Sequence, residues 1–143
     1  IETHINTGPG KPFIPCKDKR CKTCPASIIE GTYTSKNGTI LERNQTMHCK
    51  SKDLIYLITC NGCGGEYIGE TGNSLSNRMN LHRSHITSVT NGKLRVSKHI
   101  RECAIGLDEK FKIFPITKCD QGSHYYREEV EQDLRNRVQP TLH

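Results

Sequence analysis

Two tight cysteine groupings constrain this chain more than anything else in it: Cys16-x4-Cys21-x2-Cys24 and Cys60-x2-Cys63. A turn with two residues between cysteines aims both thiols at one point, the geometry tetrahedral zinc takes. The chain needs such staples. It has 143 residues, 33% hydrophobic content and no Trp, so its core is thin for its length. Two knuckles favour metal, and disulfides are the alternative for an extracellular protein.

Each knuckle needs completing. The first offers Cys16, Cys21 and Cys24, with Cys49 as its fourth ligand and neighbouring His48 as the other possibility. The second offers Cys60 and Cys63, completed by His99 and Cys103, which at i and i+4 share one face of a helical turn. Four protein ligands leave no open coordination position, so both sites are expected to be structural zinc. Cys119 is left over and reads as a small buried hydrophobe.

The rest of the chain follows from its periodicities. Residues 1–25 read as loop held by metal. Thr32-Tyr33-Thr34 and Thr39-Ile40-Leu41 read as a hairpin flanking Ser35-Lys36-Asn37-Gly38, in which Asn-Gly is a turn signal. Residues 53–60 and 66–70 read as strands joined by a glycine-rich turn. Asn73 or Ser74 caps a helix carrying Leu75, Met79, Ile86 and Val89 to about residue 90, where Asn91-Gly92 ends it. Val96–Cys103 reads as a short helix. The run 111–116 reads as an edge strand, since Pro115 cannot donate to a ladder. A last helix spans about 123–138, with Tyr126, Val130 and Leu134 on one face, and Pro140 blocks its continuation. The expected fold is a small α/β (α+β) sandwich. A three-stranded, mainly antiparallel sheet is flanked by helices (residues 51–143), with a zinc-binding extension in front (residues 1–50).

Within that frame one constellation carries chemistry. Tyr56 and Tyr67 lie on neighbouring antiparallel strands, so their hydroxyls can converge. An ordinary phenol is a poor base, but a cation can lower its pKa or it can orient water. Arg78, His82 and His85 form a polar stripe on the following helix. Arginine forks onto phosphate oxygens, and a histidine titrating near neutral pH relays protons. A hard cation requires a carboxylate. Glu131 borders the buried stripe of the last helix and can reach the sheet, with Glu70 as a second candidate. Arg83, Arg95 and Lys98, with His85, are candidate DNA-backbone contacts. The net charge of +6 and pI near 8.9 favour a polyanionic partner. No run of 18 apolar residues is present, so no membrane-spanning helix is expected.

These residues make the chain similar to the GIY-YIG endonuclease superfamily. The likeness covers residues 54–143 and rests on Leu54-Ile55-Tyr56, Tyr67-Ile68-Gly69, Arg78, and Glu131 followed by Pro140. More closely, the chain resembles the endonuclease domain of Penelope-like retroelements. That likeness is carried by Cys21-Lys22-Thr23-Cys24-Pro25, Ile55 to Cys60 with Cys63 in the turn, Tyr67 to Gly72, Arg78-x3-His82-Arg83-Ser84-His85-Ile86, and Arg127-x3-Glu131. The resemblance implies the GIY-YIG nuclease fold and a nuclear, intracellular setting. It also implies one Mg²⁺ or Mn²⁺ on Glu131, Arg78 on the scissile phosphate, and Tyr56 activating water with help from Tyr67 and His82. In such an element the domain would nick target DNA and expose a 3′-hydroxyl for the upstream reverse transcriptase of the same polypeptide, which copies its template RNA. The chain departs from the superfamily pattern at Leu54 (usually Gly), Glu70 (often Lys) and His143 (often Asn).

Two other readings compete with the nickase. One is a zinc-stabilised nucleic-acid-binding module without cleavage activity. The other is a secreted, disulfide-linked binding protein.

Overall fold

A computed structural model describes residues 10–87, 95–119 and 123–142. Its elements run α1 (Thr23–Ala26), β1 (Thr32–Thr34), β2 (Ile40–Glu42), β3 (Leu54–Cys60), β4 (Glu66–Thr71), α2 (Leu75–Thr87), α3 (Arg95–Cys103), β5 (Phe111–Lys118) and α4 (His124–Val138). The fold is mixed α and β, with two small antiparallel sheets among the helices. The hairpin β1–β2 forms one. The other has the order β4-β3-β5, both pairings antiparallel.

Strand β3 is central and apolar on both faces because both faces are covered. Leu54, Tyr56, Ile58 and Cys60 pack with Leu75, Met79 and Ile86 of α2 and Val96 and Ile100 of α3. Ile55 and Leu57 pack the other way, with Val130, Leu134 and Val138 of α4. Strand β5 is an edge strand, as Pro115 requires. Its register with β3 shifts between Ile55 and Tyr56, where Ile55 pairs with Thr117 and Tyr56 with Pro115.

The helix caps are also where the side chains place them. Ser74 Oγ accepts from Asn77 N–H at 3.2 Å at the start of α2. Ser123 Oγ accepts from Tyr126 N–H at the start of α4. The hairpin differs from expectation. Thr34 pairs with Ile40, so the connection runs from Ser35 to Thr39, one residue past the expected Ser35–Gly38. The Asn37 side chain explains this: its Oδ1 accepts from Thr39 N–H and from the Ser35 hydroxyl, which favours a longer, side-chain-stitched loop. Gly38 still supplies the positive φ, at 89°. The expected end of α2 beyond residue 87, including Asn91-Gly92, lies outside the described residues, as does His143.

The N-terminal segment shares the core of the sheet. Phe13, Met47, Cys24 and Cys49 belong to the α2–α3 cluster, and Leu41 to the α4 cluster. Arg43 locks this arrangement. It is fully buried and donates to four carbonyls: Pro115 (2.7 Å), Ile28 (2.9 Å), Lys11 (3.0 Å) and Ile29 (3.3 Å). Its guanidinium also lies 4.6 Å from the Phe114 ring centroid. A buried charge survives here because its donors meet carbonyls and an aromatic face compensates further. Burial still drags its pKa down to about 10, against some support from Glu30.

Candidate functional site

The site is built on the β3–β4 pair and on α2. In the antiparallel register Tyr56 lies opposite Gly69 and Ile58 opposite Tyr67, so both phenols emerge on one face. Their ring centroids are 6.5 Å apart. Gly69 makes this possible. A Cβ there would fall 2.6 Å from Tyr56 Oη and 2.8 Å from its Cζ. The glycine therefore lets the Tyr56 ring lie across β4.

Helix α2 closes over the phenols. Arg78 Nε donates to Tyr56 Oη at 3.0 Å, and His82 Nε2 lies 2.8 Å from the same oxygen. Where the Tyr56 hydroxyl donates to His82 Nε2, the neutral imidazole carries its own proton on Nδ1. His82 also stands edge-on to both rings, with centroids 5.8 Å from Tyr56 and 6.0 Å from Tyr67.

Electrostatics correct one expectation. His82 does not titrate near neutral pH. Burial, then the neighbouring charges of Arg78, His85 and Arg83, drive its pKa down to about 3. It is neutral throughout the physiological range. Burial likewise raises both phenols above their ordinary value, Arg78 opposing it and Glu131 reinforcing it. The resting site therefore holds neutral phenols, a neutral imidazole and one guanidinium.

Glu131 approaches on α4, half-buried and 3.5 Å from Arg135 Nη1. Burial raises its pKa, opposed by Arg135 and reinforced by Glu70 and Glu128. Three carboxylates thus share one region without full neutralisation.

Arg127, given no role by the sequence reading, organises this corner. It is buried, bonds Glu70 through Nε at 2.8 Å, and bonds Asp53 through Nη1 at 3.0 Å. It ties α4 to the open end of the β3–β4 pair, where Asp53 and Glu70 lie side by side. Gly72 leaves it room, since a Cβ there would lie 2.7 Å from Arg127 Nη2. The signal was available: Arg127 precedes Val130, Leu134 and Val138 at i, i+3, i+7 and i+11, the same buried stripe. Glu70, the second candidate carboxylate, is committed to Arg127 and to His124, whose Nδ1 is 3.4 Å away.

The remaining candidates separate. Arg83 is half-buried. It bonds Thr23 Oγ1 at 3.2 Å and Asn80 Oδ1 at 3.0 Å, and lies 5.7 Å from the Phe111 ring centroid. It pins α2 to the first cysteine cluster rather than standing free on a helix face. His85 is half-buried, and its Nδ1 has no hydrogen-bond partner. Lys98 is exposed on α3. Arg95 opens that helix, but its side chain lies outside the described residues.

The eight-ligand expectation is met in geometry. The ligand atoms of Cys16, Cys21, Cys24 and Cys49 all lie within 4.8 Å of one another, as do those of Cys60, Cys63, His99 and Cys103. Both clusters could hold a metal ion such as zinc, whose thiolate ligands stand about 2.3 Å from the metal. Cys49, not His48, completes the first. His48 instead accepts from Lys50 N–H at its Nδ1. In the second, Cys63 Sγ lies 3.2 Å from His99 Nε2 and accepts from Gly65 N–H at 3.4 Å. Those contacts lower its pKa to about 7, toward the thiolate a metal requires. The first cluster ties the N-terminal segment to α2, since Ser76 N–H donates to Cys49 O at 2.8 Å. The second ties the β3–β4 turn to α3. Cys119 is buried in the α4 cluster, away from both.

Comparison with protein-family models, curated proteins and solved structures found no match. No described helix is long and apolar enough to cross a membrane.

Proposed function

We propose that this chain is a metal-dependent DNA endonuclease of the GIY-YIG type, a nickase domain of a Penelope-like retroelement. One observation carries the reading: Tyr56 Oη receives Arg78 and faces His82 beside Tyr67, within the field of the Glu131 carboxylate. A structural tyrosine in a thin core has no need of a half-buried guanidinium, a neutral imidazole and an incompletely neutralised carboxylate around it.

Each side chain then has a task. Arg78 spends one donor on Tyr56 and offers its terminal nitrogens, as a pair, to the scissile phosphate. Tyr56, held at its oxygen from two sides, orients the attacking water. His82, neutral, fixes the direction of the Tyr56 hydroxyl. Tyr67 narrows the site beside it. Glu131 would hold Mg²⁺ or Mn²⁺, which when bound supplies Lewis acidity that lowers the pKa of nearby water and phenol. Arg127 positions Glu70, and through Asp53 and α4 it sets where Glu131 sits. Two structural zinc ions would hold the cysteine clusters. In the retroelement, the nick would leave a 3′-hydroxyl from which the linked reverse transcriptase copies its RNA.

An end-labelled duplex incubated with the chain and Mn²⁺ tests the chemistry. The account expects a nicked strand that a DNA polymerase can extend, and no product from Glu131→Gln. Products that cannot be extended, or full cleavage by Glu131→Gln, would refute it. Binding without cleavage under all metal conditions would favour a zinc-stabilised nucleic-acid-binding module.

A further inference from the structure

A second polar surface lies on the far flank of α2. A groove of about 760 Å³ separates the first cysteine cluster from that helix. Arg20, Lys22 and Lys50 stand on its cluster side, Asn80 and Ser84 on its helix side, and Arg83 between them. Arg20, Lys22 and Lys50 are exposed. Arg83 Nη2 is buried without a hydrogen-bond partner. Asp18 is the one acidic side chain in the lining. It meets Arg20 Nε at only 3.6 Å, with Arg20 93% exposed, so it neutralises little.

Helical geometry relates this groove to the Tyr56 site. At 100° per residue, Asn80, Arg83 and Ser84 point away from the flank that carries Arg78 and His82. Between the two flanks lie Asn77 and Leu81, exposed and uncharged. An α-helix is about 10–12 Å across, close to the width of the DNA major groove, roughly 12 Å. Amide side chains pair with adenine edges, and a small apolar side chain meets the thymine methyl.

Building on the nuclease reading above, we infer that α2 and the first cysteine cluster form a duplex-DNA backbone clamp. Arg20, Lys22 and Lys50 hold phosphates on one flank of α2, which Arg83 pins to the cluster, while Arg78 holds the scissile phosphate on the other. Duplex DNA is favoured over single strands by composition. Single-strand binding relies on aromatic stacking platforms, and the groove lining contains no aromatic residue. The cluster matters mechanically. Its ligands fix the loop bearing Lys17, Lys19, Arg20 and Lys22, so little ordering entropy remains to oppose binding.

The test is equilibrium binding of the full chain to a fluorescent 30-base-pair duplex in Ca²⁺, followed against salt concentration. Each phosphate contact contributes about 0.9 to the slope of log K against log salt. R20Q/K22Q/K50Q is expected to flatten the slope by about 2–3 and to weaken binding at least about 10-fold at 0.1 M salt. Metal content is measured alongside. N80E/S84E, which leaves the cysteine cluster alone and places acids on the opposite wall, is expected to weaken binding similarly. Arg78→Ala is expected to abolish nicking while changing the slope by about one. Wild-type affinity and slope in both groove variants would overturn the clamp, and nicking by the parent would leave the nuclease reading standing. Groove-dependent binding with no nicking would uphold the clamp and remove the nuclease. Tighter binding to a single-stranded RNA of equal length at equal salt would overturn the duplex assignment.

Discussion

Gly69→Ala isolates the packing that holds the site together. In a strand whose φ suits any residue, alanine for glycine ordinarily stabilises a protein by about 0.4–1 kcal/mol, through loss of unfolded-state entropy. Here the sign should reverse. The new methyl would stand 2.6 Å from Tyr56 Oη, 2.8 Å from Tyr56 Cζ and 3.0 Å from Tyr67 Cε2. Carbon contacts relax near about 3.5 Å, so the Tyr56 ring must retreat by roughly 0.7 Å. It has nowhere free to go, being fully buried and bonded to Arg78 Nε and His82 Nε2. Losing both bonds at about 1 kcal/mol each, with an off-rotamer ring at about 0.5–1.5 kcal/mol, gives a loss of about 2.5–3.5 kcal/mol. For a chain of this size that is a fall in Tm of roughly 5–12 °C. A displacement approaching 1 Å in a catalytic array costs about 100-fold in rate. Thermal unfolding and single-turnover nicking measure the two effects separately. A Gly69→Ala protein as stable and as active as the parent would refute the argument outright.

Three further predictions rest on other parts of the molecule. His82 has a folded-state pKa near 3, below its ordinary 6.5. The unfolded chain therefore binds the extra proton, and stability present above pH 6.5 is lost as pH falls toward 3, by at most about 1.4 kcal/mol per pH unit. Denaturant unfolding of His82→Gln against the parent should show that slope reduced, and an identical pH dependence would contradict the burial argument. Arg43→Met should lose about 3–5 kcal/mol in the same assay, because four carbonyls lose their donor at once; a change under about 1 kcal/mol would contradict its role as the link between the N-terminal segment and β5. Metal analysis should find two zinc ions per chain. Their removal should unfold the protein, since structural zinc contributes about 10–16 kcal/mol, comparable to the whole stability of a domain. Metal-free protein with an unchanged Tm would show that the clusters are only packed thiols.

The sequence disclosed most where local chemistry dictates geometry. Spacing picked out seven of the eight metal-ligand candidates and left the last between Cys49 and His48, because short turns and an i, i+4 helical pair aim their ligands locally while the fourth ligand of the first cluster comes from a distant segment. Alternating apolar residues and Pro115 placed β3, β4 and the β5 edge. What stayed hidden depends on distant partners. Arg43 reads as a surface charge until carbonyls 14 to 72 residues away in the chain surround it. The titration of His82 follows from burial, which a helix-face pattern alone does not reveal. Arg83 looks like a free cation in sequence, yet Thr23 and Phe111 restrain it. The hairpin connection extends one residue past Ser35–Gly38 because the Asn37 side chain bonds Thr39.

The central claim is that the Tyr56–Arg78–His82 cluster with Glu131 cuts DNA. The direct test is supercoiled plasmid incubated with the purified chain, with and without Mg²⁺ or Mn²⁺, beside Arg78→Ala. The account predicts metal-dependent conversion to open circles by the parent and loss of at least about 100-fold in rate in the variant. No conversion by the parent, or equal conversion by Arg78→Ala, would contradict it.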